Sequence, residues 1–273
     1  MASVGSATVS SESGGSAATR WRGQLAEWAI PPAILDQAVQ SPWSLPKELF
    51  RVDAPAQVDT PSTAAARQAL PEGGVVLDVG CGGGAAGLAL ADRAGEIVGV
   101  DSRADMLAEF EAAAGRVGVD CRSVQGDWPA VADQTPIADV VVCHHVFYNV
   151  AELPPFVQAL TSHARNRVVV ELPRTHPTAR MAPLWEHFWG VVRPSGPTAD
   201  DAIAVLQELG IEPDVSTFTA AARRLADFNA EVEQARIHLC LPPERTDEVA
   251  ALLERMGPPV ARELYALSWP GGA

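Results

Sequence analysis

The 273-residue sequence predicts a doubly wound α/β fold on a parallel sheet, and three observations carry that prediction. Short apolar runs alternate with helix-length amphipathic stretches, the order that crossover units require. The apolar runs lack polar alternation, as strands covered on both faces do. The first of them, Val75–Val79, runs into a cluster of glycines that opens a helix.

Element by element, residues 1–19 are Ser, Ala, Gly and Thr with almost no bulky apolar group, and are expected to be a disordered tail. Residues 20–50 place Trp21, Leu25, Trp28, Ile34, Leu35, Val39 and Trp43 at loose helical spacing broken by Pro31-Pro32. Two short helices on the flank of the core suit that pattern. Strands are then expected at Val75–Val79, Ile97–Val100, Val119–Val124, Ala138–Cys143 and Arg167–Leu172. Helices are expected at Ala85–Ala94, Ser102–Ala114 and around Pro155–Ala164, the second opened by a capping box of Ser102 and Asp105. After Pro173 come a loose segment over 174–197, a helix over Ala199–Leu209 and a strand over Ile211–Phe218. Two helices flanking Pro242-Pro243 and a last strand over Glu263–Ser268 complete the chain.

Composition narrows the function classes. Hydrophobic residues make up 47% and charged residues 20%, enough apolar matter for a sizeable core. The formal charge is 20 − 34 = −14, which disfavours nucleic acid and anionic lipid as partners. Arg165, Arg167 and Arg174 lie close in sequence and are read as solvated surface. Cys81, Cys121, Cys143 and Cys240 show no C-x-x-C spacing, so neither a thiolate zinc site nor a disulfide framework is expected, and no metal is called for. With no bilayer-length apolar run and no signal-like start, the expected location is the cytoplasm.

The segment Leu77-Asp78-Val79-Gly80-Cys81-Gly82-Gly83-Gly84-Ala85 brings backbone N–H groups against a ligand. Gly80-x-Gly82-x-x-Ala85 also satisfies the dinucleotide fingerprint, and Asp101 ends the next strand, where a carboxylate accepts from ribose hydroxyls. By itself this admits NAD or any adenosyl ligand. Asp78, inside an apolar strand, would repel a pyrophosphate and attract an ammonium or sulfonium. Gly126-Asp127-Trp128, after the third strand, offers a carboxylate to an adenine amino group and an indole to cover the base.

With Val98-Gly99-Val100-Asp101, these motifs make the chain resemble the class I S-adenosylmethionine-dependent methyltransferases, over roughly residues 60–172. The resemblance implies a Rossmann-like sheet of seven strands whose last strand runs antiparallel. It implies S-adenosyl-L-methionine as cofactor and S-adenosyl-L-homocysteine as product. Asp78, Gly80, Gly82 and Gly84 would surround the methionine part, Asp101 would hold the ribose, Met106 would lie near the adenine and Asp127 with Trp128 would bind its edge, with Cys81, Ser102 and Gly126 as further cofactor contacts. The implied organisation is a tail over 1–19, a helical cover or lid over 20–60 and a methyltransferase domain over 61–273, with acceptor-side inserts at about 174–210 and 221–258.

The strand-four exit, Cys143-His144-His145-Val146-Phe147-Tyr148-Asn149, departs from the Asn/Asp-Pro-Pro-Tyr motif of adenine and amide methylation. No Pro-Cys pair points to a covalent cysteine adduct on a pyrimidine. His144 and His145 are the candidate bases for a hydroxyl proton, or one of them, His144, braces the cofactor. Tyr148, Asn149, Arg174, His176, Trp185 and Trp189 are the candidate acceptor contacts, and Arg174 with His176 suits a carboxylated or phenolic acceptor. Trp185 and Trp189, four apart, share one helix face, the pattern of core as much as of an acceptor wall. The expected activity is methyl transfer to oxygen or nitrogen of a small molecule. A catalytically silent cofactor-binding protein and an NAD(P)-dependent oxidoreductase are the alternatives.

Overall fold

Val76, Leu77, Val79, Val140, Val141, Val142, Val168, Val169 and Val170 are all buried, which requires cover on both sides of the strands that carry them. The computed structural model describes residues 15–43, 60–222 and 225–273 and shows how that cover is built. The strands are β1 (Gly74–Val79), β2 (Ala94–Asp101), β3 (Asp120–Gln125), β4 (Ala138–His144), β5 (Ala164–Pro173), β6 (Asp214–Ala220) and β7 (Arg262–Pro270). They form one seven-stranded sheet in the order β3-β2-β1-β4-β5-β7-β6. β7 runs antiparallel to both β5 and β6, and the other pairs are parallel, as expected. Continuous burial holds for the central strands only. The edge strands β3 and β6 are largely exposed, because nothing packs beyond an edge.

Helices α1 (Ala17–Ala26) and α2 (Pro32–Leu35) precede α3 (Pro61–Ala69), α4 (Ala85–Leu88), α5 (Ala104–Val117) and α6 (Leu153–Ser162). They are followed by α7 (Ala182–Trp189), α8 (Ala199–Glu208), α9 (Phe228–His238) and α10 (Thr246–Met256). One face of the sheet buries Val76, Val142 and Val169 with Leu88, Ala66 and Phe110 from α3, α4 and α5. The other buries Leu77, Val141 and Val170 with Trp21, Leu160 and Leu206 from α1, α6 and α8. A third cluster lies off the sheet, where Ile34, Leu184, Trp185, Val232 and Leu253 join α2, α7, α9 and α10.

Several boundaries move from expectation. The helix expected over Ala85–Ala94 stops at Leu88, and consecutive turns (Leu90 N to Gly87 O, Arg93 N to Leu90 O) carry the chain straight into β2. The Ser102–Asp105 capping box does not form: Arg103 holds the cap position, and Asp105 pairs with the Arg103 guanidinium at 2.7 Å. Within the expected tail, Ser16 caps α1 through the Thr19 N–H and Ala17 is buried, while residues 1–14 lie outside the described residues. Of the expected cover, residues 44–59 also lie outside them. α3 was not legible, since its alanines carry little apolar periodicity. Arg165, Arg167 and Arg174 each meet a carboxylate, Asp139, Asp214 and Glu263, so they form no basic patch. Among the described residues no helix is long and apolar enough to cross a membrane.

Candidate active site

The carboxyl ends of β1, β2, β4 and β5 meet on one edge of the sheet, the edge where open α/β folds bind ligands. Gly80 and Gly84 take positive φ values of 72° and 88°, which an L side chain resists. A Cβ on Gly80 would lie 2.4 Å from Val146 Cγ2, and one on Gly84 would lie 2.6 Å from Phe110 Cδ2. Glycine is therefore required by both conformation and space. Gly80 N and Cys81 N donate to Val100 O, which ties the turn to β2.

Asp78 is 1% exposed. Its Oδ2 accepts from Gly87 N at 2.8 Å, and its Oδ1 is buried with no hydrogen-bond partner. Burial pushes its pKa up to about 7, opposed by the Gly87 N–H and reinforced by the charge of Asp101. Asp101 Oδ2 accepts from Gly82 N at 2.9 Å and Oδ1 from Arg103 N at 3.0 Å, so one carboxylate fixes two turns. Ser102 and Asp127 are exposed beside it, and Gly126 N donates to Asp101 O. Met106, 2% exposed, packs on the inner side of α5. Trp128 is half-buried, its Nε1 donating to Phe156 O at 3.3 Å and its ring edge-on to His163.

At the β4 exit, His144 stands opposite Glu171 in the register with β5. His145 has a φ of 62°, a conformation seldom kept without a reason. Its N–H donates to Glu171 O at 2.6 Å, and its Nε2 lies 3.3 Å from Glu171 Oε1. Ser62 Oγ, from α3, donates to Glu171 Oε2. Burial alone would raise the Glu171 pKa. The hydrogen bonds from His145 and Ser62, with the positive ends of both histidines, pull it down to about 2 instead. Sequence reasoning missed Glu171, although its signal was the same as that of Asp78: one acid near the carboxyl end of an apolar strand. Ser62 carried no signal at all.

Residues 76–167 match the family described as "Methyltransferase domain". Over those residues the chain carries a methyltransferase domain. No curated protein matches the sequence significantly. Among solved structures, one neighbour is a Bacillus halodurans C-125 protein (BH2331) provisionally assigned as a methyltransferase. It is 17% identical, with 77% of this chain and 99% of that one covered at a TM-score of 0.53. A cyclopropane-fatty-acyl-phospholipid synthase-like protein of Lactobacillus casei ATCC 334 is 17% identical, covering 87% and 97% at 0.53. The magnesium protoporphyrin IX methyltransferase of Synechocystis PCC 6803, solved with bound S-adenosylhomocysteine, is 17% identical, covering 91% and 93% at 0.51. At that identity these likenesses show the fold.

The residues at this edge fit S-adenosyl-L-methionine, the expected cofactor. The glycine cradle leaves no room for side chains, and the orphaned Asp78 oxygen is an acceptor awaiting a cation. The expected acceptor contacts fare differently. Tyr148, 3% exposed, donates its hydroxyl to Pro173 O at 2.8 Å and stacks on Trp21, so it is framework rather than ligand contact. Trp185, 1% exposed, and Trp189, whose Nε1 donates to Leu239 O, are core of the third cluster, as four-residue spacing on one helix face allows. Arg174 is exposed and paired with Glu263 at 3.0 Å. Asn149 is exposed at the end of the 3₁₀ turn Phe147–Asn149. His176 alone stays in a cluster of ligand-like groups, stacked on Trp28 with ring centroids 3.9 Å apart.

Proposed function

We propose that the protein transfers the methyl group of S-adenosylmethionine to an oxygen or nitrogen of a small cytoplasmic molecule, with His145 taking the acceptor proton. The observation that carries this reading is the double attachment of His145 to Glu171, through its N–H and its Nε2. A carboxylate beside Nε2 keeps the proton on that nitrogen and leaves Nδ1 basic. The left-handed conformation of His145 then has a use, since it goes with the meeting of both its N–H and its ring with Glu171.

When bound, the cofactor supplies an activated methyl group that needs only an aligned nucleophile. In this reading Asp78 takes the ammonium, Gly80, Cys81, Gly82 and Gly84 line the methionine part, and His144 braces it. Asp101, with Ser102 beside it, holds the ribose. Asp127 and the backbone at Gly126 meet the adenine edge. α1 and α2, the described part of the expected cover, bring Trp28 over His176 on the acceptor side. The net charge of −14 supports a small acceptor over nucleic acid.

The test is incubation with methyl-labelled cofactor and either the low-molecular-weight or the macromolecular fraction of a cell extract. Label is expected in the small-molecule fraction, and label confined to macromolecules would overturn the reading. His145→Gln is expected to lower kcat by about 10²–10⁴-fold with S-adenosylhomocysteine affinity unchanged. Glu171→Gln, a positioning change, should move the acid limb of the pH profile as well as kcat.

A further inference from the structure

Against the third hydrophobic cluster lies a charge that no carboxylate among the described residues balances. Arg193 is 9% exposed. Its Nη1 donates to Trp28 O at 3.0 Å and Ala29 O at 3.1 Å, and its guanidinium carbon sits 4.0 Å over the Trp185 ring. Its Nε is buried with no partner, and among the described residues no carboxylate pairs with it. Arg236, in the same cluster, shows the ordinary solution. It is equally buried, but its Nε and Nη2 form a fork on the Glu233 carboxylate. A buried guanidinium without a counter-charge is costly, and mutual attraction repays that cost only when an anion is present.

Two histidines flank this cation. His176 Nδ1 accepts from the Thr178 N–H at 3.3 Å, which leaves Nε2 carrying the hydrogen. Burial holds its pKa down to about 4, helped by the charges of His238 and Arg193, so the ring is neutral near pH 7. His238 sets its ring edge on Trp185, and its Nδ1 reaches Pro42 O at 3.4 Å. The cluster is not remote from the chemistry. His176 packs edge-on against Tyr148 with centroids 5.4 Å apart, and Tyr148 lies three residues beyond His145.

We infer that Arg193 binds a carboxylate group of the acceptor, with His176 as a second donor. The Nε–Nη2 edge is the one left over by the Trp28 and Ala29 carbonyls, and it is the edge that takes a planar carboxylate side-on. The inference rests on the proposed small-molecule acceptor and narrows it to carboxylate-bearing molecules. It also moves the anion contact from the exposed Arg174 to the buried Arg193.

The experiment titrates the full chain, with and without S-adenosylhomocysteine, using benzoate and its uncharged isostere benzamide. Calorimetry gives affinities, and tryptophan emission reports on Trp28 and Trp185. Benzoate is expected to bind at least about tenfold more tightly than benzamide, as one charge-assisted fork predicts. Arg193→Met should erase that preference and leave S-adenosylhomocysteine affinity unchanged. Equal binding of the two probes, or an unchanged preference in Arg193→Met, overturns the inference. The wild-type pair decides the matter even where the variant does not fold. Benzoate preference without transfer from labelled cofactor to any carboxylated acceptor would leave the anion site standing and sink the proposed acceptor chemistry.

Discussion

Asp78 and Arg193 are both buried ionisable residues with an unpartnered polar atom, yet they sit in regions built by different means. Asp78 belongs to the sheet, where β1 lies between β2 and β4, and its position follows from strand, glycine turn and strand in a fixed order. Arg193 lies beyond α7, in a cluster assembled from α2, α7, α9 and α10, which are far apart in the chain. A binding group held by local chain geometry announces itself in sequence. One held by packing between distant helices does not.

Substitutions in each region show whether the two are independent. The largest effect is expected for Trp185→Ala, which empties the centre of the third cluster and removes the ring beneath Arg193. A Trp→Ala change in a core costs about 3–5 kcal/mol. Thermal unfolding should fall by roughly 10 °C for a chain of this size, while S-adenosylhomocysteine affinity at the sheet edge changes less than about twofold. An equal loss in the two readouts would mean that the helical insert and the cofactor edge form one cooperative site.

Asp101→Ala acts on the other region. It removes the acceptor of both the Gly82 and Arg103 N–H groups along with the proposed ribose contact. Loss of two or three such hydrogen bonds is expected to weaken S-adenosylhomocysteine binding by about 100-fold. Unchanged binding, measured by calorimetry, would remove the ribose from that edge.

The central strands were legible because β1, β2, β4 and β5 each carry a short apolar run, and β1 runs straight into the glycine turn. The glycine turn and Asp101 stood where their spacing put them. Glu171 was legible in principle and passed over, since VVVELP reads first as a buried strand. Ser62 reaches Glu171 across 109 residues of chain, and Arg193 reaches Trp28 across 165, separations that no local pattern encodes. Tyr148 and Trp185 were ambiguous for another reason. An aromatic near a ligand edge and an aromatic in a core have the same sequence signature, and only the hydrogen bonds to Pro173 and the packing under Arg193 separate them.

Calorimetric titration with S-adenosylhomocysteine at pH 6 and pH 8, with NAD in parallel, asks whether the buried carboxylate of Asp78 serves a cationic, adenosyl ligand. Burial raises the Asp78 pKa to about 7, and an ammonium favours the ionised form, so binding must expel a proton below that pH. One-to-one binding about tenfold weaker at pH 6 than at pH 8 is expected, with the difference abolished in Asp78→Asn and no binding of NAD. Binding of NAD, or S-adenosylhomocysteine affinity that ignores pH in the wild type, would contradict the account.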